Sequence, residues 1–102
     1  MTSTGITGTE ILSLVEKQGM RCGLTGTELT PSTASIDHVV PLKDGGEHAI
    51  ENCEVVLRSV NLMKGGFSRE EFIRTCRLVV EHVDNGPKVV EPVRLSDGQE
   101  LF

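Results

Sequence analysis

The stretch ASIDHVVPLKDGGEHAIENCEVVLRSVNLMK, residues 34–64, decides how the chain folds. Residues 34–40 form a short run with β-branched side chains that stops at Pro41, whose missing N–H cannot extend a ladder; this predicts a strand. Residues 54–57, Glu-Val-Val-Leu, predict a second strand, and Ser59 to Lys64 a short helix ended by Gly65 and Gly66. Residues 42–51 between the strands are polar, contain the Gly45-Gly46 pair and keep no period, so they predict an ordered loop. Loops of about a dozen residues inside a small domain are usually functional.

Outward from this unit, Thr7 and Glu10 have capping-box spacing ahead of Ile11, Leu12, Leu14 and Val15, with Gly19 as a stop, and predict a helix over residues 8–18. The segment from Cys22 to Pro31 carries too much glycine and turn chemistry for a helix and reads as a loop or short irregular hairpin. Ser68 and Glu71 repeat the capping box. Phe72, Cys76, Val79, Val80 and Val83 then keep helical spacing until Asn85-Gly86-Pro87 stops the helix. Residues 88–102 read as an extension, loose or weakly hairpin-like. The sum is an α+β fold: one domain over residues 1–87, its core unit over about 34–66, with flanking N- and C-terminal helices.

At 102 residues the chain suffices for one domain and not for two. Hydrophobic residues at 37% against 25% charged exclude a disordered protein. With no Trp or Tyr and three Phe, aliphatic side chains must fill the core, and aromatic stacking is excluded as the way of holding a nucleic acid. No apolar run approaches the roughly 20 residues of a membrane span, and MTSTGITGTE does not read as a signal peptide, so a soluble cytoplasmic protein with no membrane partner is expected. Cys22, Cys53 and Cys76 have no C-x-x-C spacing and read as buried hydrophobes in a reducing compartment.

The formal charge of −5 argues against tight non-specific DNA binding by the chain as a whole. The distribution is uneven: residues 1–54 hold eight acids and three bases, 55–80 two acids and five bases, and 81–102 five acids and two bases. The basic stretch holds Arg58, Lys64, Arg69, Arg74 and Arg77, either a solvated helix face or a phosphate-contacting one.

Asp37 and His38 at a strand end, Asn52 closing the glycine loop, and Asn61 with Lys64 on one face of the next helix form a candidate site. Adjacent strand residues point to opposite faces, so Asp37 and His38 share a site only if the strand bends there, as Pro41 and the loop allow. Phosphodiester hydrolysis needs a general base for water and a divalent cation for the developing charge. Histidine as a residue type titrates near neutrality and suits the first task. A carboxylate and an amide oxygen, from Asp37 and Asn61, suit magnesium, which keeps several waters. Taken singly, Asp37 reads as a turn cap, His38 as a buried histidine, Asn61 as a helix N-cap and Lys64 as solvated surface; together they read as a site.

Cys22-Gly-Leu-Thr-Gly26, Ser35-Ile-Asp37-His38-Val-Val-Pro41, Gly45-Gly46, Asn52 and Asn61-Leu-Met-Lys64-Gly65 resemble the HNH endonuclease family, in its variant with Asn at the third motif position, over roughly residues 18–67. The resemblance implies a ββα-metal (His-Me) finger with His38 as general base, Asp37 and Asn61 as metal ligands and Asn52 bracing the loop. It implies one Mg²⁺ or Mn²⁺ ion as cofactor, DNA as substrate and Lys64 at a phosphate; the basic stretch, if functional, adds Arg58 and Arg69 to Lys64 as DNA contacts flanking the site. The reading extends to a metal-dependent DNA endonuclease of phage or mobile-element origin, in a bacterial or phage-infected cell. His48 also lies in the loop, but Asp37, His38 and Asn52 already fill the pattern, so it is left without a catalytic role.

Two departures qualify the resemblance. Many family members bind a structural zinc through two C-x-x-C pairs, whereas here Thr25 stands at the partner position of Cys22 and Leu57 and Val60 occupy the second pair. No structural zinc is expected, and apolar packing is expected to replace it. The acidic balance suggests that a larger protein assembly delivers the DNA. The rival readings are a non-cleaving nucleic-acid or protein binding module on the same finger, and a small regulator that docks through its acidic C-terminal segment.

Overall fold

The computed structural model describes residues 5–86, so the extension over 88–102 lies outside the described residues. Its elements are α1 (Gly8–Lys17), β1 (Ala34–His38), β2 (Cys53–Leu57), α2 (Arg58–Lys64) and α3 (Arg69–Asn85), in an α+β arrangement with β1 antiparallel to β2. The register runs from Ala34 opposite Leu57 to His38 opposite Cys53. Both capping boxes form: Thr7 with Glu10 opens α1 and Ser68 with Glu71 opens α3. No helix among the described residues is long and apolar enough to cross a membrane.

A two-stranded sheet is marginal by itself in water, and here polar side chains complete its free edge. The Gln18 amide sits against β2 as a third strand would, accepting from Val55 N–H at 2.9 Å and donating to Val55 C=O at 2.8 Å. Gly23 N–H donates to the same carbonyl at 3.0 Å. A Cβ on Gly23 would overlap the Glu54 side chain, so this close approach needs glycine. The next free donor of the edge, Leu57 N–H, bonds Cys22 Sγ at 3.3 Å, and Thr25 N–H reaches the same sulfur at 3.4 Å.

Cys22, Leu29, Val55 and Val56 are buried together, with Leu14, Val15, Leu24, Ala34 and Leu57 packed around them. Burial pushes the Cys22 thiol up, but hydrogen bonds from the Thr25 side chain and the backbones of Leu57, Leu24 and Thr25 outweigh it and hold it below the ordinary 9.0. Segment 21–29 is held as an irregular hairpin by a bridge between Arg21 and Glu28 and by backbone bonds from Cys22 N–H to Thr27 C=O and from Leu29 N–H to Met20 C=O.

Four boundaries differ from expectation, the first being the end of α1 at Lys17 and not at residue 18. β1 ends at His38 and not at residue 40, because Val39 N–H bonds Asn52 C=O and Val40 turns to the Asn52 side chain. β2 starts one residue earlier than expected and α2 starts at Arg58, whose N–H bonds Thr33 C=O at 2.7 Å. The loop after Pro41 is built around two single-turn 3₁₀ helices, Leu42–Asp44 and Ile50–Asn52. In α3 the apolar spacing is present, yet only Phe72, Ile73 and Cys76 of its apolar residues are half-buried, and every residue from Arg77 to Asn85 is exposed.

Candidate active site

Asp37, His38, Asn61 and Lys64 line one cleft of about 310 Å³, together with Ile36, Pro41, Leu42, Lys43, Gly65 and Gly66. His38 is the last residue of β1, and it and Asp37 both line the cleft although they are adjacent in the strand. A larger groove of about 740 Å³ runs between α2 and α3, but its walls are mainly apolar and contain no histidine.

Asp37 is 4% exposed and Lys64 1% exposed. The Lys64 ammonium donates to Asp37 Oδ1 at 2.9 Å and to the His38 carbonyl at 3.0 Å. This corrects the expectation that Lys64 contacts phosphate: the helix face it shares with Asn61 turns inward, and its charge is committed to Asp37. Asp37 Oδ2 is buried with no hydrogen-bond partner. A buried carboxylate oxygen without a donor is costly unless a cation or water meets it.

Asn61 donates through Nδ2 to Ser35 Oγ at 2.8 Å and to the Ile36 carbonyl at 3.2 Å. Both bonds fix the amide plane, so its Oδ1 remains as an acceptor at the cleft. Among the described residues no three His, Cys, Asp or Glu side chains gather as a metal group. A cation here would therefore be held by one carboxylate, one amide oxygen and non-protein oxygens, a donor set that magnesium accepts and structural zinc does not. The unpartnered Oδ2 of Asp37 fits such an ion.

Asn52 stands behind the cleft as a clamp. Its Oδ1 accepts from Val40 N–H at 3.0 Å, and its Nδ2 donates to the carbonyls of Val40 at 3.0 Å and Glu47 at 2.9 Å. Gly46 lies so close to the Val40 carbonyl that a Cβ would overlap it, and Gly45 has a φ of +90°; the glycine pair lets the loop close on this clamp. The closed loop brings His48 to His38, with His48 Nδ1 at 3.0 Å from His38 Nε2. Sequence reasoning left His48 unused. The only signal was its place in the same loop as Asn52.

The expected DNA contacts separate. Arg58 is exposed at the start of α2. Arg69 gives its Nε to Glu54 Oε2 at 2.9 Å, so part of its charge is already matched. Arg69, Arg74 and Arg77 line a further groove of about 520 Å³ along α3 with Val39, Ile73 and Glu70. Cys53, next to Asn52, is buried; burial, and then the carboxylates of Asp37 and Glu51, push its thiol up.

A comparison with protein-family models matches residues 20–66 to the HNH endonuclease family, the span that holds every residue lining the cleft. No curated protein matches the chain.

Proposed function

We propose, from the premise that residues 20–66 are a segment of the HNH endonuclease family, that the chain hydrolyses phosphodiester bonds of DNA with one divalent cation. The observation that carries this reading is the buried, unpartnered Oδ2 of Asp37 in the same cleft as Asn61 and the His38 ring. Asp37 Oδ2 and Asn61 Oδ1 would hold Mg²⁺ or Mn²⁺, which supplies charge stabilisation at the leaving oxygen. His38 takes the proton of the attacking water. Asn52 keeps the backbone after His38 in place, and Lys64 holds Asp37 in its orientation.

Lys43, exposed and itself lining the cleft, and Arg58, exposed at the start of α2, are the cations beside the site, and Arg74 and Arg77 extend a basic surface along α3. Lys64 is not assigned to DNA in this reading, and Arg69 contributes only what Glu54 leaves unmatched. So few phosphate contacts favour delivery of the DNA by a larger assembly, since binding free energy to DNA scales with the phosphates neutralised.

Supercoiled plasmid incubated with Mg²⁺ or Mn²⁺, with and without chelator, tests the reading. Wild type should nick, chelator should stop it, and His38→Ala should slow it by about 10²–10⁴-fold, the usual contribution of a general base. Equal nicking by His38→Ala removes the assignment. DNA binding with no cleavage in either metal leaves the non-cleaving binding module as the answer.

A further inference from the structure

The contact between His38 and His48 has no part in the reading above. We propose that His48 is a positioning residue that fixes the tautomer of His38. The inference rests on His38 being the general base and adds which of its nitrogens accepts the proton.

Two imidazole nitrogens 3.0 Å apart bond only when one carries a proton and the other a lone pair. If His48 Nδ1 carried it, His38 Nε2 would accept, and the proton of neutral His38 would sit on Nδ1, which could then take no other. If His38 Nε2 carries it, His48 Nδ1 accepts and His38 Nδ1 is left with its lone pair. No described residue bonds His38 Nδ1, His38 lines the cleft, and His48 does not. Only the second arrangement gives the cleft a base. The nitrogen that bonds a neighbour thus decides the state of the other.

The backbone is built to hold this pair. Asn52 ties Val40, two residues after His38, to Glu47, the residue before His48. Gly46 N–H closes the same loop on the Pro41 carbonyl at 3.0 Å. The two rings are tilted by 45° with centroids 5.2 Å apart, so they meet through nitrogens rather than stacked faces. When His38 Nδ1 takes a proton from water, the O–H electron pair passes to the attacking oxygen. The Nε2–H bond to His48 stays in place and accepts part of the new positive charge.

The full chain labelled with ¹⁵N has three histidines, His38, His48 and His82, so their two-bond ¹⁵N–¹H patterns are separable. At a pH where the rings are neutral, wild type should show His38 protonated on Nε2 alone. His48→Ala should give His38 a mixture of tautomers and slow plasmid nicking by about 10–100-fold in kcat, the usual loss for a residue that orients another, with KM little changed. His48→Asn puts an amide oxygen near the former Nδ1 and should restore both the single tautomer and the rate.

His38 protonated on Nδ1 in wild type overturns the proposal. So does wild-type nicking by His48→Ala, or an Asn variant no better than Ala. If His48→Ala does not fold, the wild-type spectrum and the Asn variant decide. A wild-type chain that does not nick at all sinks the nuclease reading instead, and the tautomer spectra then judge the pair alone.

Discussion

Replacing Lys64 by Met separates a structural lysine from a phosphate-binding one. The substitution keeps the aliphatic stem but removes an ammonium that is 1% exposed and donates at 2.9 Å and 3.0 Å. Hydrogen bonds to charged groups are worth about 1.5–3 kcal/mol each, so the two contacts together carry about 3–6 kcal/mol. Breaking a buried ion pair from one side gives a similar figure, about 3–5 kcal/mol, because the remaining charge is left uncompensated. Asp37 is badly placed to absorb the loss, since its Oδ2 already lacks a partner. Against a total stability of about 5–15 kcal/mol for a domain this size, the variant should lose a fifth or more.

Urea unfolding with chelator present measures this loss, with Arg58→Met as the exposed control, expected within about 0.5 kcal/mol of wild type. Adding Asp37→Asn to Lys64→Met should recover part of the stability, because a neutral amide needs no buried counter-charge; the shortfall from additivity reports the coupling of the pair. A Lys64→Met chain within about 1 kcal/mol of wild type would refute the reasoning and return Lys64 to the surface.

The carboxyl of Glu71 lies below its ordinary 4.5 because the backbone and hydroxyl of Ser68 donate to it. Its stabilisation of α3 is therefore complete above pH 4.5 and fades as pH falls through the lowered folded value. Glu71→Gln should flatten that acid loss, and a difference from wild type that is constant from pH 6 to 3 would contradict it. In native protein at pH 8, iodoacetamide should label half-buried Cys76 first and spare Cys22 and Cys53 until unfolding, by burial for both and by the raised thiol as well for Cys53; mass spectrometry of early time points decides. Gly46→Ala should lower the thermal midpoint, since its Cβ overlaps the Val40 carbonyl, while Gly8→Ala, with open space around it, should be neutral or raise it slightly; equal midpoints for the two variants would contradict this.

The order of elements was legible because its signals are local. Thr7 with Glu10 and Ser68 with Glu71 each mark a helix start within four residues, and both boxes form. The meeting of Asp37, His38 and Asn61 was also legible, because a strand, a loop and a helix of these lengths leave little choice of how they pack. What escaped depends on orientation or on distant partners. Lysines are rarely buried, so the sequence offered Lys64 only as a phosphate contact or as solvated surface, and Asp37 and the His38 carbonyl, far away in sequence, make its burial tolerable. Arg69 read as a free cation until Glu54 met it from β2. The valines of α3 have the spacing of a core face, but spacing cannot say whether anything packs there, and Val79, Val80 and Val83 are exposed.

The site stands at the end of the sheet away from the main apolar cluster. Cys22, Leu29, Val55 and Val56 secure the part of β2 beside α1 and the hairpin, whereas Asp37 and His38 lie beyond them at the other end of β1. There the geometry is set by polar groups: Lys64 on Asp37 and the His38 carbonyl, Asn61 on Ser35 and Ile36, and Asn52 on Val40 and Glu47. Under the proposed function, directional bonds suit this end better than packing would, because Asp37, His38 and Asn61 would each have to keep one atom unbonded for the reaction. An apolar wall can exclude water from such atoms but cannot choose between Oδ1 and Oδ2, or between Nδ1 and Nε2. Each polar clamp occupies one atom of a pair and so selects the other, which makes the bonded atoms of Asp37, His38 and Asn61 as informative about the chemistry as the free ones.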